Sequence, residues 1–304
     1  MPAERRFGMD HPHYDWSPVA HRSVLRWPED APVSLCVIVN LEHMEWRPPV
    51  DSYTVPLAGG WGPRPFGELA QSSHREYGHR VGIFRVLDVL QKHGITPTVA
   101  MDALTAEHYP YLVDHCLSRG CEIIGHGISV SQIISSTMSE RQEREYIQKS
   151  LDVLTRATGS APLGWLGPEY GESVRTPQLL AEAGIRYVCD WANDEQPYRI
   201  HTPKGELFAL PVMLELDDIN ALWGRHVAID RYGELLIESF DTLHRDGAQN
   251  GRLLVLNLHP WIIGQPFRIR YLDRALAHMT RRQGVWAATG SEIIDWYSRN
   301  SPAA

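Results

Sequence analysis

Short apolar runs, each ending in an acid, an amide or a histidine, recur along the chain with helix-length amphipathic stretches between them. Val33-Ser-Leu-Cys-Val-Ile-Val39 reads as a buried first strand and runs into Asn40-Leu41-Glu42-His43. From Glu76 to His93, the apolar positions Val81, Phe84, Leu87 and Leu90 form a helical stripe that Gly94 closes. Thr96 to Met101 predicts a second strand ending at Asp102, and a helix follows over about 107–119. Cys121-Glu-Ile-Ile124 then delivers His126 between two glycines, as a buried strand delivers a side chain into a loop where the backbone approaches a ligand. Ser139 and Gln142 have the spacing of a capping box and open a helix to about Thr158.

The same alternation continues to the end of the chain. Gly164-Trp165-Leu166-Gly167 predicts a short strand before Pro168-Glu169-Tyr170, and Thr176-Pro177 starts a helix to Ala183. Ile185 to Cys189 is the next strand, landing on Asp190-Trp191, and Leu207 to Val212 is another, with Glu215, Asp217 and Asp218 after it. A helix is expected over 230–246. Leu253 to Leu258, the strongest buried-strand signal, ends at His259-Pro260-Trp261. A helix over 271–283, a strand at Val285 to Ala288 and a helix from Ser291 complete the chain. Strand and helix alternate about seven times, which predicts a parallel α/β sheet covered by helices, and the length favours a barrel over an open sheet. Residues 1–32 read as an arm and 33–300 as a single barrel domain. The aperiodic Pro/Gly-rich stretch 47–75 is long enough to be a lid or an interface.

Composition narrows the function. A net charge of −8 without a basic run argues against a nucleic-acid surface, and no segment is apolar enough to span a membrane. Four cysteines without CxxC spacing and the lack of an apolar leader suggest reduced thiols and a cytoplasmic location. The aromatic, Pro-rich arm and loop suggest burial against a second copy, so a homo-oligomer is expected.

In a closed parallel barrel all strand ends open on one mouth, so Glu42, Asp102, His126, Glu169, Asp190 and His259 can meet there. Two imidazoles and several carboxylates, with no Ser or Cys in a nucleophile setting, suit water attack on a carbonyl or amidine carbon. One group takes the water proton and another protonates the leaving nitrogen. Such a set also suits Zn²⁺ or a related ion. Glu45, His43 and Trp46 read as rim residues.

These residues resemble the polysaccharide deacetylase superfamily, in particular its branch of cofactor-independent allantoinases and cyclic-imide hydrolases. The matching pieces are Asn40-Leu-Glu42, Gly125-His126-Gly127, Gly164 to Tyr170, Asp190 to Tyr198 and Leu258 to Gly264. The resemblance covers about residues 33–290. It implies a distorted (β/α)7-8 barrel of the polysaccharide deacetylase type and hydrolysis of a C–N bond in a small cyclic or linear amide or imide. A carbohydrate N-deacetylase or a catalytically silent ligand binder are the alternatives. By resemblance His259 is the general acid, Glu42 the base or a metal ligand, and Glu169 the reserve. His126 orients water, binds a carbonyl or coordinates a metal. Tyr170, Trp165, Trp191 and Trp261, with Asp190, are candidate substrate-binding residues, although simple core packing also explains any one of these aromatics. The family's paired acids stand here as Leu41 and Glu42, its second metal imidazole as Val130, and a common Arg as Leu166. The metal set shrinks to Glu42 and His126, which favours a metal-free site over Zn²⁺.

Overall fold

Parity along the strands, more than any other feature, decides what reaches the centre of this molecule. A computed structural model describes residues 10–50, 52 and 69–300. Strand β1 (Val33–Leu41) pairs in parallel with β2 (Thr98–Met101) on one side and β8 (Arg252–Leu258) on the other. Beyond β2 follow β3 (Glu122–Gly125), β4 (Gly164–Trp165), β5 (Tyr187–Val188) and β7 (Leu207–Ala209), all parallel. The sheet ends in an antiparallel strand, β6 (Tyr198–Ile200), and β9 (Val285–Ala287) adds to the start of β1. The curled sheet with its surrounding helices is the expected distorted barrel.

On β1, Val33, Leu35, Val37, Val39 and Leu41 face outward into the main apolar layer, while Cys36 and Ile38 face inward into the barrel. On β8, Leu254, Leu256 and Leu258 face outward, and Leu253 and Val255 inward. The outer layer is covered by α2 (Ile83–Lys92), α7 (Ile229–Gly247) and α9 (Ile269–Thr280). Leu25 and Trp27 of the arm, with Ile293 and Ile294 of α10 (Gly290–Asn300), join the interior cluster and plug the end of the barrel away from the mouth. The arm is thus partly core: Trp27 Nε1 donates to the Arg252 carbonyl at 2.7 Å.

Several boundaries differ from those the sequence suggested. The helix expected to begin at Glu76 is already formed at Leu69, as α1 (Leu69–Tyr77), and passes through a wide turn, Gly78–Gly82, into α2. The helix expected at 107–119 is two, α3 (Ala103–His108) and α4 (Pro110–Ser118), broken where Pro110 removes a backbone donor. Helix α5 (Glu140–Thr158) has the expected capping box, and α6 (Thr176–Glu182) its expected Pro near the start. The short α8 (Pro260–Ile263) follows β8 directly. Most of the 47–75 loop, residues 51 and 53–68, lies outside the described residues. All four cysteines are buried and free. No helix among the described residues is long and apolar enough to cross a membrane.

Candidate functional site

The inward rows of β1, β3 and β8 change from apolar to polar as they approach the mouth. Cys36 and Ile38 give way to Asn40 and Glu42, Ile124 to His126, and Leu253 and Val255 to Asn257 and His259. These side chains, with Leu166, Glu169, Tyr170 and Asp217, line a cavity of about 280 Å³. Glu42, His126, Glu169, Tyr170 and His259, named from the sequence, therefore share one pocket.

Glu42 is its centre. Its Oε1 lies 3.2 Å from His126 Nε2 and 3.7 Å from His259 Nε2, and its Oε2 accepts from Arg75 at 2.9 Å. Burial alone would push the Glu42 carboxyl up. The charge of His259, the hydrogen bond with His126 and the charge of Arg75 outweigh it and hold the group well below the carboxylate range. His259 shows the converse. Burial lowers it, but the carboxylates of Glu42 and Asp218 raise it well above the usual imidazole value. Asp218 binds His259 Nδ1 at 2.7 Å and accepts its backbone N–H at 3.0 Å, fixing the ring so that Nε2 faces Glu42. His126 is oriented in the same manner, with Nδ1 donating to the Leu166 carbonyl. The surroundings of this buried pair thus favour Glu42 as carboxylate and His259 as imidazolium.

Arg75, Asp217 and Asp218 were not assigned from the sequence. Arg75 comes from α1, which crosses the mouth because the turn after it lies tight against α8. A Cβ on Gly82 would overlap the Pro260 carbonyl oxygen. The guanidinium stacks 4.8 Å from the Trp261 ring centre and lies 3.9 Å from Glu169. Nothing in the polar spacing around Arg75 announces this. Asp217 and Asp218 stood next to a predicted strand, and an acid pair there was the available signal.

The remaining expected substrate contacts lie elsewhere. Trp165 is fully buried in the outer core and packs on Gly125, where a Cβ would sit 2.6 Å from its ring. Leu166, one residue on, is the inward side chain. The close approach at Gly125 serves packing, whereas the sequence suggested a ligand. Trp261 backs Arg75 and packs on His74 and Trp223, not on the cavity. Trp191 sits with His13, Tyr14 and Tyr198 and donates to Glu172 at 2.7 Å. Asp190 accepts the Gly167 N–H at 2.7 Å and braces the cavity wall from behind. Asp102 is a helix cap, accepting from Thr105 and His43 backbones at 2.6 Å. The wall it leaves to Glu169 and Tyr170 is strained. Both residues have left-handed backbone, φ 54 and 55, held by hydrogen bonds of Asp190 and of Tyr170 with Asp217.

The donor set does not fit the metal that the family resemblance implies. Val130, at the position of the second imidazole, is buried against Met44, and Glu45 gathers Ser129, Ser131 and Gln132 around it. Glu42 and His126 are two donors, one of them already facing a guanidinium. His259 Nε2 would be a third donor only as neutral imidazole, and the carboxylates of Glu42 and Asp218 favour its protonated form. Asp217, Asp218 and His259 cluster closely, but the acids are occupied: Asp217 accepts from Asn257, Ile219 and Tyr170, and Asp218 from His259.

The comparisons agree with this architecture. Residues 76–188 match the family described as polysaccharide deacetylase. A Schizosaccharomyces pombe protein, named as an inferred polysaccharide deacetylase, is 27% identical, covering 91% of this chain and 93% of its own. The solved structure of PuuE allantoinase superposes with a TM-score of 0.82 at 26% identity, covering 91% and 94% of the two chains. An inferred polysaccharide deacetylase from Pseudomonas aeruginosa PAO1 also gives 0.82 at 26% identity, covering 91% and 95%.

Proposed function

We propose that this chain, which belongs to the polysaccharide deacetylase superfamily, hydrolyses a carbon–nitrogen bond in a small cyclic or linear amide without a metal. The observation that carries the reading is the approach of Glu42 Oε1 to His259 Nε2 across 3.7 Å on one cavity, in surroundings that favour the carboxylate and the imidazolium. A base and an acid of opposite form at the same mouth are what amide hydrolysis requires. Glu42 Oε1 takes a proton from water as the water oxygen bonds to the carbonyl carbon. His259 Nε2 then gives its proton to the nitrogen as the C–N bond breaks. His126, fixed by the Leu166 carbonyl, holds the carboxylate and the water in line. Arg75 keeps Glu42 ionised in a buried setting and supplies fixed positive charge near the developing oxyanion.

A cavity of about 280 Å³ suits one small ring better than a polymer. The names of the relatives favour a second reading, removal of an N-acyl group from a sugar. Purified, chelator-treated protein is assayed against a panel of imides, hydantoins and ureides, and against N-acetylglucosamine oligomers. The reading expects turnover of a small amide in chelator, abolished in Glu42→Gln and His259→Gln. Turnover of sugars alone, restored by added divalent metal, overturns it.

A further inference from the structure

We propose that Asn40 is the specificity element of this pocket, and that its side-chain oxygen binds an N–H of the substrate. The proposal rests on the hydrolase reading above for the chemistry, but the role of Asn40 follows from hydrogen-bond direction alone. Asn40 lines the cavity and is 2% exposed, and its Oδ1 is a buried acceptor without a hydrogen-bond partner among the described residues. Buried amides are seldom left unpaired, because a lost hydrogen bond costs the desolvation of the group.

Hydrogen-bond direction anchors the orientation of both amides. Here the anchor is Asp217, which as a carboxylate can only accept. Asn257 Nδ2 lies 2.9 Å from Asp217 Oδ2 and 2.9 Å from the Tyr170 hydroxyl, whose own proton goes to Asp217. That fixes Asn257 Oδ1 on the opposite side, where it accepts from Asn40 Nδ2 at 2.7 Å. The second Asn40 amide proton goes to the Leu258 carbonyl at 3.1 Å. Both protons of Asn40 are therefore spent towards β8, and its oxygen is left free. Its register partner on β2 is Ala100, whose methyl offers no donor. The chain of donors starts at Asp217 and ends in an unsatisfied, enclosed acceptor on a residue that lines the pocket, one inward step below Glu42.

A substrate presenting an N–H next to its scissile carbonyl would satisfy that oxygen, while an ester, a lactone or an N-alkylated ring would bury it against no donor. The substrate class is therefore a secondary amide, imide or ureide with a free N–H. A site built around one hydrogen bond rejects analogues that lack the partner more strongly than an apolar pocket rejects a methyl group.

The test separates recognition from chemistry by measuring binding and ring opening independently. Saturation-transfer NMR on the full chain compares succinimide with N-methylsuccinimide, and 2-pyrrolidinone with γ-butyrolactone, which exchanges N–H for O without added bulk. Wild-type protein is expected to bind the N–H member at least about tenfold more tightly in both pairs. In Asn40→Leu the ratio should collapse towards one, and in Asn40→Asp, which keeps an acceptor oxygen, it should persist. Equal binding within the lactam–lactone pair overturns the proposal in wild-type protein, whatever the variants do. N–H-selective binding without ring opening upholds Asn40 and overturns the hydrolase reading. Ring opening without N–H selectivity does the reverse, and binding of no member of either pair at millimolar concentration overturns both.

Discussion

Nε2 of His259 faces Oε1 of Glu42 across 3.7 Å, and each group sets the charge of the other. Burial pushes each towards its neutral form, and the charge of the other opposes it, helped by Arg75 on one side and Asp218 on the other. Replacing Glu42 by Gln should therefore do two things. Turnover should fall by about 10²–10⁴-fold, the usual worth of a positioned acid–base group. The titration of His259, followed by NMR of its ring protons, should move to lower pH because one of its two flanking carboxylates is gone. A His259 midpoint unchanged by Glu42→Gln would dissolve the pair on which the mechanism rests.

The pH dependence follows from the same shifts. Activity needs Glu42 ionised and His259 protonated. Glu42 is depressed well below 4.5 and His259 raised well above 6.5, so kcat/KM should show a broad plateau across neutrality. It should decline on the alkaline side as His259 loses its proton. Stability carries matching signs. The His259 contribution is complete below its unfolded value and is lost as pH rises through the folded one. The Glu42 contribution is present above its unfolded value and is lost as pH falls through the folded one. Urea denaturation at several pH values checks this: His259→Gln should flatten the alkaline loss, and a variant that keeps the full wild-type loss would reassign it.

A structural prediction concerns Gly125. A methyl group there would meet the Trp165 ring at 2.6 Å, and Trp165 is enclosed by the outer core. Gly125→Ala should cost about 1–3 kcal/mol as the indole is displaced. Because His126 follows directly and hangs on the Leu166 carbonyl, turnover should fall as well. Trp165→Leu should lower stability by itself but make room for the added methyl group. A double variant no more stable than Gly125→Ala would show that the indole is not the obstacle.

What was legible in the sequence was legible for a physical reason. β1 and β8 were visible because continuous Val, Ile and Leu runs mark strands covered on both faces. Glu42, His126 and His259 were visible because they stand just past such runs. Counting inward positions by twos would also have found Asn40 and Asn257, and would have turned Trp165 outward. β6 was missed because a three-residue antiparallel edge strand has no apolar run to announce it. Arg75 was invisible for a different reason. Its place depends on a helix crossing the mouth over α8, a tertiary contact that periodicity does not encode.

Arg75 also supplies the sharpest contrast between an organic cation and a metal. Its guanidinium lies 2.9 Å from Glu42 Oε2, and its side chain is 5% exposed. Removing it leaves a buried carboxylate with one cation fewer. Arg75→Met should lower stability by about 3 kcal/mol, the scale for breaking a buried pair. It should also raise the Glu42 midpoint, so that the acid limb of kcat/KM moves to higher pH. Arg75→Lys keeps the charge but cannot lie flat on Trp261 while reaching the carboxylate, and should restore the acid limb in part. A residue that merely packed would lower kcat/KM equally at all pH values and leave both limbs in place. If Arg75→Met left the acid limb unmoved and activity in chelator intact, the charge that holds Glu42 ionised would have to come from His259 alone.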